Sequence, residues 1–211
     1  MYRIRITFSK FGKARWIGNL DLHRTWARIL RRAGVPIAYS QGFNPQPRMQ
    51  LASALPLGTM SECELLDIWV LENISTDDLQ KDLSTGLPSG IEVIKIVGVE
   101  LKEKSLQSRL LAAEYLIELG DYIDIYELQK IIDNLLGMQS IIRQRRGKEY
   151  DMRPLIQALH VVSGNSISQE LFVRFSACPG ATGRPSELLE YIDINAKNII
   201  RTRLLFVDND D

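Results

Sequence analysis

From Tyr39 to Arg48 the chain reads Tyr-Ser-Gln-Gly-Phe-Asn-Pro-Gln-Pro-Arg, which puts two aromatic rings, several amides, a glycine and a guanidinium within ten residues. Those are the parts of a single-strand nucleic-acid site. Tyr39 or Phe43 can stack on a base, Gln41 and Asn44 can hydrogen-bond to its edge, and Arg48 can hold a phosphate. The same run has a purely structural reading: a rigid turn in which Phe43 plugs the core while Pro45 and Pro47 fix the path. Arg15, Arg31 and Arg32 join Arg48 as candidate phosphate contacts if the four meet on one side of a sheet, and binding would then be strongly salt-dependent.

A second candidate is Asp151-Met-Arg153-Pro154, preceded by Arg143, Arg145, Arg146 and Lys148. It reads either as an Asp151–Arg153 pair organising the turn ahead of Pro154, or as a continuation of the basic surface. Catalytic machinery is not legible. His23 and His160 are the two histidines, each among apolar residues of an expected regular element. There is no GxSxG, HExxH, phosphate-binding GxxxxGK[ST] loop or dinucleotide-binding GxGxxG. Cys63 and Cys178 have no CxxC or Cys/His neighbours, so neither a zinc site nor a disulfide framework is indicated, and both are expected to be buried apolar residues. No cofactor and no metal is expected.

Charge is segregated along the chain. Residues 1–60 hold ten Lys/Arg against a single acid, Asp21, a net of +9, and residues 61–134 reverse that to −10. A basic surface for a phosphate-bearing partner follows if the two sets stay apart. If basic and acidic strands pair within one sheet, they neutralise each other. The N-terminus lacks the apolar run of a signal peptide and no apolar stretch is long enough to span a bilayer, so a cytoplasmic protein without membrane association is expected.

The elements that must position these residues read as follows. Tyr2–Phe8 alternates strictly, with Ile4, Ile6 and Phe8 inward and Arg3, Arg5 and Thr7 outward, as a half-buried strand does. A helix begins near Asn19 or Asp21 and stops at Gly34 and Pro36, with Leu22, Trp26, Ile29, Leu30 and Ala33 facing the core. Arg24, Arg28 and Arg31 form a separate stripe. A short strand at 37–40, a Pro/Gly/Asn-rich passage from Gln41 to Gly58, a strand at 64–71, a Ser75-capped helix and a strand at 91–99 complete the order β-α-β-β-α-β of a ferredoxin-like domain. The charged stretch Glu100–Arg109 marks the boundary. Beyond it come a strand at 113–118, a helix at 125–136, a strand at 139–145, an ambiguous segment at 148–162, a strand at 170–177, a helix opened by Arg184-Pro185 and a strand at 199–207 carrying Arg201 and Arg203. The expected fold is α+β: two tandem ferredoxin-like (βαββαβ) domains with antiparallel sheets, residues 1–100 and 110–211, the second elaborated around Pro154.

The blocks Phe8-Ser-Lys10, Ala14-Arg-Trp16, Leu20-Asp-Leu22, Arg31-Arg-Ala-Gly34, Ala38–Pro45, Pro47-Arg48, Ala54-Leu-Pro-Leu-Gly58, Tyr150–Ile156, Arg184-Pro185 and Arg201-Thr-Arg203 span nearly the whole chain. In these the sequence resembles the radical-SAM-linked protein family, a bacterial group whose members occur beside, or fused to, radical-SAM proteins. It departs from that pattern at Asn19 and Gln46, where the family often carries an ionisable residue, so an acid–base or metal role cannot be inherited there. The resemblance implies a radical-SAM protein as partner. Two cysteines cannot supply the three thiolates of a radical-SAM cluster, so radical chemistry belongs to that partner.

Three functions remain open on sequence. The first is a non-catalytic module presenting RNA or another phosphate-rich substrate to a radical-SAM enzyme. The second is an endoribonuclease resembling the ferredoxin-like CRISPR RNA-processing proteins, with His23 or Tyr39 acting. The third is a protein-interaction subunit that binds no nucleic acid.

Overall fold

The computed structural model describes residues 1–162 and 169–207. The chain divides into two compact units, one built from Met1–Leu110 together with Val207, the other from Leu111–Phe206. Among the described residues no helix is long and apolar enough to cross a membrane.

In the first unit, β1 (Tyr2–Lys10), α1 (Asn19–Arg32), β2 (Met49–Leu51), β3 (Met60–Val70), α2 (Thr76–Ser84) and β4 (Ile91–Val99) are followed by a single turn, α3 (Leu106–Arg109). The sheet runs β2–β3–β1–β4 and every neighbour is antiparallel. Alternation fixes its two faces. Ile4, Ile6 and Phe8 of β1 share a face with Leu66 and Ile68 of β3 and with Met49 and Leu51 of β2, and all are buried against Leu22, Trp26, Ile29 and Leu30 of α1 and Leu79 and Leu83 of α2. Phe8 and Trp26 meet edge to face at 4.9 Å. α1 turns off at Gly34, and α2 is capped by Ser75, whose hydroxyl accepts from the Asp78 amide.

The opposite face is covered as well. Glu100–Arg109 lies within the first unit, directly before the division at Leu110/Leu111, and packs on this face. Arg3, buried, donates to both the Asp67 carboxylate and the carbonyls of Glu103 and Lys104. Arg5 bridges Asp67 and Glu103, and Arg109 also pairs with Glu103. The basic strand β1 is therefore neutralised by the acidic strand β3 beside it. Burial pulls the Arg5 guanidinium toward the neutral form, but its bonds to Asp67 and Glu103 outweigh that and raise its pKa.

The expected strand at 37–40 is reduced to isolated bridges at Ile37 and Tyr39, and the second strand is instead Met49–Leu51. A three-residue strand inside a Pro-rich passage carries too little alternation to be read. The two cysteines, expected to be buried, are both part-exposed.

The second unit contains β5 (Leu110–Leu119), α4 (Ile125–Gly137), β6 (Ile142–Arg145), β7 (Lys148–Asp151), β8 (Ile156–Val162), β9 (Glu170–Cys178), β10 (Ala181–Thr182), α5 (Pro185–Ile192) and β11 (Ala196–Phe206). β8 and β5 flank β9 antiparallel, β11 lies beside β5, and β6–β7 is a separate hairpin. Along β9, Leu171, Val173 and Phe175 are buried, with Leu128, Ile132 and Leu135 of α4 and Leu188 of α5 also in the core. The ambiguous segment 148–162 resolves as two strands around a 3-10 turn holding Pro154. The result is a mixed α+β protein in which antiparallel strand pairing dominates.

Candidate functional site

The run from Ala38 to Arg48 folds back on itself. The Arg48 amide donates to the Ala38 carbonyl (2.7 Å), the Ser40 amide to the Gln46 carbonyl (2.8 Å), and the Gln46 amide to the Ser40 hydroxyl (3.0 Å). Both arms are tied to β3, through Ala38 N–H to Trp69 O and Trp69 N–H to Arg48 O. Gly42 sits at φ +126°, a conformation open to glycine, and turns the tip so that Phe43 projects fully into solvent. Phe43 therefore does not plug the core, and the structural reading of the loop fails at that residue. Tyr39, Gln41 and Asn44 are also exposed.

Arg48 emerges on the face of the sheet opposite the helices, with its guanidinium 5.3 Å from the centre of the Trp69 ring, which Arg3 also approaches. Its Nη1 donates to the Met1 sulfur at 3.3 Å, a weak acceptor. Among the described residues Arg48 has no carboxylate partner, so the charge is positioned by stacking and left uncompensated. Trp69 was legible in the sequence: if Leu66, Ile68 and Val70 face inward, residue 69 shares the outer face with Arg3.

The expected convergence of Arg15, Arg31, Arg32 and Arg48 does not occur. Arg15 precedes α1, lying over the Trp16 ring at 5.3 Å, whereas Arg31 and Arg32 end that helix. Fourteen residues at 1.5 Å each separate them by about 20 Å. Arg48 stands on the other side of the sheet. Arg31 and Arg32 are exposed and unpaired among the described residues, placed where they complement the helix C-terminus.

Asp151 and Arg153 serve the fold. Asp151 Oδ1 accepts from the amides of Ile141 (2.7 Å) and Arg153 (2.9 Å), while the Arg153 guanidinium donates to the Leu136 carbonyl (2.7 Å) and caps α4. The Ile141 amide, helped by the Arg153 amide and the Ser140 side chain, holds the Asp151 carboxyl below its ordinary pKa against the opposing effect of burial. The folded state therefore binds its proton less readily than the unfolded chain. Its contribution is complete at neutral pH and drains away as pH falls below about 4. Asp151→Asn is expected to flatten the acid limb of a thermal-midpoint-against-pH profile; a limb as steep as the parent's would remove Asp151 as a source of that dependence.

Nearby, Glu187 of α5 accepts from both Arg145 and Tyr150, and Arg143 pairs with Glu190, which fastens the β6–β7 hairpin to α5. Burial, then the bond to Glu187, raises the Tyr150 pKa, so this phenol is not poised as a base. His23 has no hydrogen-bond or ionic partner among the described residues, and His160 stacks on Phe172. Among the described residues no group of three or more His, Cys, Asp or Glu could hold a metal ion.

A family model described as "Uncharacterized protein conserved in bacteria" (DUF2344) matches residues 3–185. No protein of curated function matches the sequence. Among solved structures, a chain of a Cbf5–Nop10–Gar1 complex aligns with a TM-score of 0.54 at 10% identity, covering 95% of this chain and 48% of the other. A chain of an H/ACA RNP bound to a substrate RNA containing 2′-deoxyuridine aligns at 0.49 and 10% identity, covering 96% and 47%. The chain spans about half the length of these structural relatives. The first likeness is one of fold.

Proposed function

The chain belongs to the bacterial family DUF2344, and from that premise we propose that it is a non-catalytic binding module that presents RNA, or another phosphate-rich substrate, to a radical-SAM partner. The observation that carries this reading is the loop from Tyr39 to Arg48: a hydrogen-bonded stem, a fully exposed Phe43 at its tip and an uncompensated Arg48 at its root. A ring and a cation on one short, tethered loop suit a base and the phosphate next to it. Single-stranded RNA is the ligand class, because a projecting ring can stack only on a base that is not already stacked in a duplex.

Each unit also supports the ferredoxin-like reading. The strand order β2–β3–β1–β4 with α1 and α2 as crossovers is repeated as β8–β9–β5–β11 with α4 and α5, the β6–β7 hairpin being an insertion between α4 and β8. In the first unit the helix-free face is occupied around β1 by the Arg3–Asp67–Glu103 network, and Arg48 stands exposed at its β2–β3 margin over Trp69. That leaves the sheet's edge loop, rather than its face, to take a ligand.

Fluorescence anisotropy of a labelled 12-nucleotide single-stranded RNA at low salt tests the assignment. Phe43→Ala and Arg48→Ala are each expected to weaken binding by about tenfold, and Arg48→Ala to lower the salt slope by about one. Parent-like affinity in both variants, or no binding at low salt, sinks it.

A further inference from the structure

A different corner of the first unit displays a different kind of surface. Trp16, Leu20 and Leu57 are 61%, 73% and 64% exposed. One exposed apolar side chain needs no account, but three large ones at the turns bordering one end of β1 and β3 do. Trp16 closes the 3-10 turn Gly12–Trp16, Leu20 opens α1 four residues later, and Leu57 precedes the glycine on which the indole rests.

This corner is built to hold its shape. Lys10, 1% exposed, donates its Nζ to the carbonyl of Ile17 at 2.7 Å and reaches that of Arg15 at 3.5 Å. The Phe11 amide donates to Gly90 O (2.7 Å) and the Gly58 amide to Arg15 O (3.0 Å). Gly58 adopts φ +81°, and a Cβ there would come within 3.1 Å of the Trp16 ring. The ring is thus fixed from beneath and bare above, so little conformational freedom remains to be lost on contact.

Charge selects the occupant. Arg15 lies over the indole, Lys13 is on the same turn and Arg28 follows along α1, whereas Arg24 is already paired with Asp21; of the acids that open β3, Glu64 is buried and Glu62 is exposed. We propose that this corner is a docking surface for a protein segment whose apolar side chains are flanked by carboxylates. Leucine side chains offer a nucleic acid neither stacking nor hydrogen bonds, whereas Trp and Arg are the residue types that anchor protein interfaces. The surface is also remote from the RNA loop. Trp16 and Leu57 adjoin the C-terminal end of β1 and the N-terminal end of β3, while the loop is tied to the far end of β3 at Trp69. At about 3.3 Å per residue the two lie roughly 25 Å apart, so a partner seated at one leaves the other free.

Selection of a displayed random 15-residue peptide library against the full chain tests the proposal. Enriched peptides should combine aromatic or aliphatic residues with Asp or Glu. Binding of an enriched peptide, read by anisotropy, should fall at least tenfold in Trp16→Ala and in Leu57→Ser, weaken in Lys13→Glu, and stay unchanged in Arg48→Ala, all variants keeping the parent's far-UV circular dichroism. Trp16→Tyr, which retains a ring on Gly58, should recover part of the affinity. The proposal is overturned by enrichment of basic peptides or of none, or by affinity indifferent to Trp16 and Leu57. It is equally overturned if the single-stranded RNA protects Trp16 from oxidation, or if a dimer seen by sedimentation is abolished by Trp16→Ala.

Discussion

Asp67→Ala is expected to cost about 3–5 kcal/mol of unfolding free energy, because it strands the buried Arg3 guanidinium without its counter-charge. Asp67 is 0% exposed and takes four donated bonds, two each from Arg3 and Arg5. With Glu103 and Arg109 the network holds three cations and two anions, so losing one carboxylate leaves three positive charges facing a single negative one. Urea unfolding followed by circular dichroism measures the loss. The double variant Arg3→Met/Asp67→Leu should recover most of it, since replacing a buried pair with apolar side chains of similar volume is close to neutral. A single-variant cost under about 1 kcal/mol would mean that water reaches Arg3 and that the network is ornamental to stability.

The same network shows where the sequence stops being informative. Alternation in Tyr2–Phe8 correctly assigns Ile4, Ile6 and Phe8 to the core and Arg3 and Arg5 to the other face, because a two-residue period is local. What covers that other face is not local. The carbonyls that bind Arg3 belong to residues about a hundred positions away, in a charged stretch whose composition reads as a boundary. The +9 of residues 1–60 therefore overstated the available basic surface, since Arg3 and Arg5 are consumed by Asp67 and Glu103, while Arg48, Arg31 and Arg32 have no carboxylate partner among the described residues.

The candidate site divides in the same way. That Tyr39–Arg48 is a special loop was legible from its odd composition. Whether Phe43 points inward or outward was not, because it depends on the bonds among Ser40, Gln46, Arg48 and Trp69. The Asp151–Arg153 pair shows the converse. Its spacing reads equally as a turn or a binding motif, and only the position of the Leu136 carbonyl, at the end of a helix 17 residues earlier, decides for the turn. Trp16, Leu20 and Leu57 gave no periodic signal, since they lie on turns where exposure is set by tertiary packing rather than by a repeat.

Trp26 carries the second large expectation. It is fully buried, packs edge to face on Phe8, and joins α1 to β1 at the centre of the first unit's core. Trp26→Ala should cost about 3–5 kcal/mol in the same urea experiment, as the lost contacts and the cavity add. Its indole Nε1 is buried without a hydrogen-bond partner among the described residues. Burying an unsatisfied donor costs about 1–3 kcal/mol, so the parent already bears that penalty and Trp26→Phe relieves it while giving up part of the ring volume. The two effects oppose, and Trp26→Phe is expected within about 1.5 kcal/mol of the parent, far from the alanine variant. Were Trp26→Phe to lose nearly as much as Trp26→Ala, the indole N–H would have to be engaged, and the packing of α1 on β1 would depend on a polar contact rather than on shape alone. Because α1 follows directly from the Trp16 turn and leads into the Tyr39–Arg48 loop, the Phe8–Trp26 contact also holds the helix that links the two surfaces. Loosening it should blunt peptide docking and RNA binding together, whereas Phe43→Ala and Leu57→Ser should each impair only one.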